Sequence, residues 1–228
     1  MIIFKPTLPF VFCMLLFHAA HSQDWPNLKH YSSDNEKIGL PKTGEKRVVF
    51  MGNSITEFWK SATPDFFSGN GYINRGISGQ TTPQMLIRFR ADVVNLKPAV
   101  VLILAGVNDV AGNTGPSTLE MITDNIFSMA EIAKSNGIKV ILCSVLPVYD
   151  FPWKPGLEPA DKIIALNQMI NDYAKLKGHI YLDYYSAMKD ERNGMKAEYA
   201  KDGVHPTEAG YKVMMPLCTE AIKEALKK

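Results

Sequence analysis

Cysteine is scarce in this chain of 228 residues: there are three, and Cys13 falls within the first 22 positions. The other two are Cys143, in the apolar run VILCSVLP, and Cys218, in the last amphipathic segment; they cannot build the disulfide framework on which small secreted domains rely. Each reads as a small core residue, and a single bridge between them stays open. Charge of one sign is lacking too. A net charge of +2 argues against a nucleic-acid binder held by phosphate contacts and points to small or neutral partners. No Gly/Ser linker, charge run or repeat divides the chain, so one domain is expected, and 46% hydrophobic against 21% charged residues suits a single substantial core.

Long hydrophobic runs are missing as well. The apolar stretch from Phe10 to Ala20 falls short of the roughly 20 residues that cross a bilayer. Lys5 precedes it and Ala20-His21-Ser22 follows with small residues where a signal peptidase cuts, so residues 1–22 read as a signal peptide cleaved before Gln23. A membrane anchor is the alternative. Cys13 sits too early in the run for a lipoprotein. The expected mature protein is soluble, secreted or periplasmic, and without stable membrane insertion. Residues 23–45 form an N-terminal arm of no legible role, ahead of a domain spanning 46–228.

Within that domain, short β-rich runs alternate with helix-period segments, the pattern of parallel strands joined by helical crossovers. The predicted strands are KRVVFMGN, Tyr72 to Arg75, Ala99 to Ala105, IKVILCSVLP and HIYLDYY. The third is apolar without alternation, as a strand covered on both faces should be. Helices are predicted from TTPQML to Asn95, Ser117 to Asn136, Ala160 to Leu176, and from Thr207 to the C-terminus. The fold class is α/β: a three-layer α/β/α sandwich around a parallel, flavodoxin-like five-stranded sheet.

In such sheets ligands bind outside the carboxyl ends of the strands. Ser54 follows strand one, Gly76 to Gly79 follow strand two, and Asn108 with Asp109 follow strand three, so all gather on one rim. Ser54 to Glu57 also spell S-x-x-E, the capping-box signature, which gives the serine a purely local use. A nucleophilic serine needs a base. Of five histidines, His18 and His21 leave with the signal peptide, His30 lies in the arm, and His179 opens strand five at the far end of the sheet. His205 remains, in DGVHP, with Asp202 three residues earlier and able to reach its Nδ1–H. Taken alone, DGVHP also reads as a turn before a capped helix, Asn108-Asp109 as a helix start, and the glycines as tight turns.

The blocks GNSIT, GISGQTT, GVND and DGVHP, in this order and each at a strand end, resemble the SGNH branch of the GDSL esterases and lipases over residues 46–216. The resemblance implies Ser54 as nucleophile, His205 as general base and then acid, and Asp202 as its orienting partner. It also implies an oxyanion hole built from the Ser54 N–H, the Gly79 N–H and the Asn108 side-chain amide. Such an enzyme is a serine esterase working through an acyl-enzyme, and it needs neither metal nor organic cofactor. Two positions depart from the family pattern: Asn53 stands where Asp is usual, and Gln80 where Asp is frequent.

Substrate is less legible. The loop from Pro147 to Pro159 carries Tyr149, Phe151 and Trp153, and Trp153 is a candidate substrate contact with core packing as its alternative. Phe58 and Trp59 read first as core. An exported enzyme with aromatic loops is expected to be a carbohydrate O-acetyl esterase acting on a small-molecule or saccharide ester. Lysophospholipase or thioesterase action on longer acyl chains is the alternative, and a non-catalytic ligand-binding module is a third reading.

Overall fold

The computed structural model describes residues 24–227. The expected signal peptide, residues 1–22, and its cleavage before Gln23 lie outside them. Among the described residues no helix is long and apolar enough to cross a membrane. In chain order the elements are α1 (Ser32–Ile38), β1 (Val48–Gly52), α2 (Ser54–Ala62), α3 (Pro64–Asn70), β2 (Ile73–Gly76), α4 (Thr82–Asp92), β3 (Val100–Leu104), α5 (Val107–Val110), α6 (Leu119–Ser135), β4 (Lys139–Cys143), α7 (Ala160–Lys177), β5 (Ile180–Leu182), α8 (Tyr185–Met188) and α9 (Glu208–Lys227).

The five strands are all parallel, in the order β2-β1-β3-β4-β5. This is the doubly wound arrangement the alternating pattern predicts. β1 and β3 are buried at every position, because helices cover both faces: α2 and α9 on one, and α4, α6 and α7 on the other. The register sets Gly52 of β1 beside Gly76 of β2 and Leu104 of β3, so the chain leaves all three strands at one level. Strand five is shorter than the run HIYLDYY suggests, because Tyr184 and Tyr185 already turn into α8. Cys143 and Cys218 are buried free thiols, and burial pushes both up, Cys218 to about 12.

A polar cluster fixes the strand ends. Arg88, fully buried on α4, donates to the Gly52 and Arg75 carbonyls, each at 2.9 Å, to Gln80 Oε1, and to Asp92 at 2.9 Å. The arm closes over this cluster. Asn35 of α1 donates to Asp92 at 2.8 Å and accepts from the Arg75 guanidinium, which also pairs with Asp34 at 2.8 Å and lies over the Tyr31 ring. Helix α1 buries none of its own residues fully, and these polar contacts hold it in place together with Ile38, which packs against the core. Asp109, in the short helix α5 that follows β3, anchors the start of α4: its carboxylate accepts the Thr82 N–H at 3.0 Å and the Thr82 hydroxyl at 2.6 Å. Burial raises the Asp109 carboxyl to about 6 despite those bonds.

Two predictions follow from the buried charges. Replacing Arg88 with Met leaves Asp92 without its cation and should cost about 3–5 kcal/mol of stability, read from the urea midpoint. An unchanged midpoint would remove Arg88 from its structural role. Asp109 has the opposite pH dependence to a salt-bridged acid. Its folded pKa exceeds the ordinary 3.8, so its stabilising contribution is complete below about 3.8 and is lost as pH rises through about 6. Relative to Asp109→Asn, the wild-type protein should therefore lose on the order of 2 kcal/mol between pH 4 and pH 7 in denaturation measurements. Parallel pH profiles for the two proteins would refute this.

Candidate active site

The turn from β1 into α2 decides what Ser54 does. Helix α2 is capped by Asn53, whose side chain accepts the Ile55 N–H at 3.1 Å, while the Asn53 carbonyl accepts the Glu57 N–H at 2.9 Å. The capping-box reading of S-x-x-E is thus out of frame by one residue. Ser54 is the first residue of the helix, and its hydroxyl lies 3.0 Å from His205 Nε2. Glu57 binds Ser78 instead of its own helix end. An asparagine where aspartate is usual still supplies the capping oxygen.

His205 is held from the other side. Asp202 Oδ1 accepts the backbone N–H groups of Val204 and His205 at 2.9 and 2.8 Å, and Oδ2 lies 2.7 Å from Nδ1. Burial works to raise the Asp202 carboxyl, but hydrogen bonds from the His205 ring and from the two backbone N–H groups outweigh it and hold the group below its usual range. An ionised carboxylate can only accept, so Nδ1 is the ring nitrogen that donates to Asp202, and Nε2 is the one left facing Ser54. Helix α9, which follows His205, is tied back to the serine helix by the Tyr211 hydroxyl, a donor to the Ile55 carbonyl at 2.8 Å. The Trp59 ring stacks between Phe66 and Tyr211, with centroids 5.5 and 5.3 Å away.

Two backbone donors lie on the same rim. Ser54 is at the first helical position, where an N–H has no intrahelical acceptor. Gly79 has φ +76°, a left-handed backbone that glycine adopts without strain. Among the described residues neither its N–H nor that of Ser54 meets an acceptor. Asn108 spends one of its two amide hydrogens on the Gln80 carbonyl at 2.9 Å and keeps the other. Gly76 has a different use: a Cβ there would fall 2.2 Å from the Glu57 nitrogen, so glycine lets β2 end hard against α2. Gln80 ties the arm to the buried cluster, donating to the Pro26 carbonyl at 2.7 Å and accepting from Arg88.

The aromatic residues divide. Trp59 and Phe151 are core, and Tyr149 lies under the Arg192 guanidinium. Trp153 is 47% exposed with its ring centroid 6.1 Å from that of His205. Phe58, read as core from the sequence, is instead 43% exposed and 5.5 Å from the same ring. Four residues beyond Ser54, Phe58 shares its face of the helix. The loop bearing Trp153 is braced by Asp150, which accepts the N–H groups of Phe151, Gly156 and Leu157, and by the Lys154 ammonium on the Ala111 carbonyl.

Comparison with known proteins places these elements in a family. A GDSL-like lipase from Bacteroides thetaiotaomicron VPI-5482 has a crystal structure that superposes with a TM-score of 0.86 at 51% identity, over 88% of this chain and 98% of that one. An acetylxylan esterase of Xylanibacter ruminicola is 27% identical over 82% of this chain, which spans only 45% of the length of that enzyme. Esterase TesA of Pseudomonas aeruginosa is 26% identical over 72% of this chain and 77% of its own length. Residues 50–213 match the sequence profile of the GDSL-like lipase/acylhydrolase family, and the chain belongs to that family.

Proposed function

We propose that this chain is an exported serine esterase that cleaves carboxylic esters through an acyl-enzyme, with Ser54 as nucleophile, His205 as base and Asp202 as its orienting partner. One observation carries the reading: Ser54 Oγ lies 3.0 Å from His205 Nε2 while Nδ1 of the same ring lies 2.7 Å from Asp202. A neutral serine is a poor nucleophile until a base takes its proton in the attack. His205 accepts that proton as Oγ adds to the ester carbonyl. The resulting oxyanion is met by the N–H groups of Ser54 and Gly79 and by the free Asn108 amide hydrogen. Collapse of the tetrahedral intermediate releases the alcohol, which takes the proton from His205, and a water repeats the sequence to free the acid. A non-catalytic binding module would leave this hydrogen-bonded chain without a use.

The substrate we assign is an O-acetylated carbohydrate. His205 returns its proton to the leaving alcohol, so the two exposed rings beside it, Trp153 and Phe58, border the alcohol half of the ester. Flat apolar faces of this kind suit a sugar ring. The acetylxylan esterase among the relatives supports the same class.

Turnover of acetylated xylo-oligosaccharides, lysophospholipids and acyl thioesters by wild-type protein, Ser54→Ala and Asn108→Ala tests both parts. Acetylated saccharides should be the best substrates. Ser54→Ala should lose about 1000-fold or more, and Asn108→Ala about 100- to 1000-fold, in kcat. Full activity in Ser54→Ala would end the serine mechanism, and preference for long acyl chains would replace the saccharide with the lysophospholipase or thioesterase alternative. Export rests on the short apolar run with its Ala20-His21-Ser22 end. Protein recovered from outside the cytoplasm should begin at Gln23 on N-terminal sequencing, and a start at Met1 would refute cleavage.

A further inference from the structure

We infer that Glu57 is a positioning residue for the oxyanion donor Gly79, a role that rests on the serine-esterase reading above. Glu57 is freed for it because Asn53, not Ser54, caps α2, so the side chain that S-x-x-E would bend back onto its own helix reaches across to the loop after β2. There one oxygen, Oε2, accepts both the Ser78 N–H, at 2.7 Å, and the Ser78 hydroxyl.

The loop shows why that grip matters. Its ends are fixed: the Ile77 N–H donates to the Gly52 carbonyl at 3.2 Å, and Gln80 is buried, with its carbonyl on Asn108 and its side chain on Pro26 and Arg88. Between them Ser78 and Gly79 are exposed. Among the described residues, none beyond its two chain neighbours has an atom within 4 Å of where a Gly79 Cβ would be, so packing against the rest of the protein does not hold the peptide that carries the Gly79 N–H. Among the described residues the other direct tether on this pair is the Asn113 amide, 3.5 Å from the Gly79 carbonyl. The Gln80 N–H closes the turn on the Ile77 carbonyl at 3.3 Å, and within that turn Glu57 holds the central peptide from the nitrogen side.

The charge makes the case sharper. A carboxylate beside the oxyanion loop opposes developing negative charge, and among the described residues the basic side chain paired with it is His30 of the arm, 3.9 Å from Oε1. Geometry and charge therefore act in opposite directions on the reaction, and an amide separates them. Gln retains an acceptor for both Ser78 donors, whereas Ala removes it.

The test uses the full chain, with 4-nitrophenyl acetate as substrate and phenylboronic acid as a tetrahedral mimic on Ser54. In Glu57→Ala, kcat and kcat/KM should fall together by about 10- to 100-fold, the cost of a donor misplaced by about 1 Å. Equal losses mark an interaction made in the transition state alone. Boronate affinity should weaken by a similar factor, and Glu57→Gln should stay within about 3-fold of wild type on both measures. Unchanged kcat in Glu57→Ala, a rise in KM alone, or a Gln variant as impaired as Ala would each overturn the inference. Ser54→Ala is run alongside: if it is inactive while Glu57→Ala is not impaired, positioning by Glu57 fails alone, and if it stays active the serine reading itself falls.

Discussion

A single guanidinium, that of Arg88, joins the carboxyl ends of two neighbouring strands. Its bonds to the Gly52 and Arg75 carbonyls fix where β1 and β2 stop, and these are the points from which the chain departs toward Ser54 and toward Gly79. The spacing of nucleophile and oxyanion loop is thus set from beneath, inside the core. A buried arginine is costly to desolvate, and it persists here because its donors meet two carbonyls, a carboxylate and an amide oxygen together. The bond to Gln80 extends the same bracing into the loop that presents Gly79, and the Asn108 amide completes it from β3.

Much of this was legible in the sequence, for identifiable reasons. The strands were visible because a sheet covered on both faces demands continuous apolar runs, as at Val100–Leu104. His205 emerged by elimination, and Asp202 by a spacing short enough for one turn to bring carboxylate and ring together. The rim placement of Ser54, Gly79 and Asn108 followed from the strand-end rule, and Trp153 lies beside His205 on the loop expected to carry it.

What escaped the sequence depends on tertiary partners or on competition between neighbours. Asn53 and Ser54 are both good caps, and the pattern alone cannot say which takes the position. Glu57 finds its partner 21 residues away, so its local signature misled. Helix α3 did announce itself, with Pro64 at its start and Gly71 left-handed at its end, but at 7 residues it lacks the periodicity by which longer helices are recognised. Helix α1 has a single apolar residue against the core, Ile38, and it is held largely by polar contacts with Arg75, Ala91 and Asp92, far along the chain.

That last dependence orders events during folding. Asn35 emerges from the ribosome before either group that will satisfy it, Arg75 lying 40 residues later and Asp92 57 residues later. This segment therefore cannot dock until β2 and α4 present the polar groups it meets. The arm works as a latch on β2 and α4.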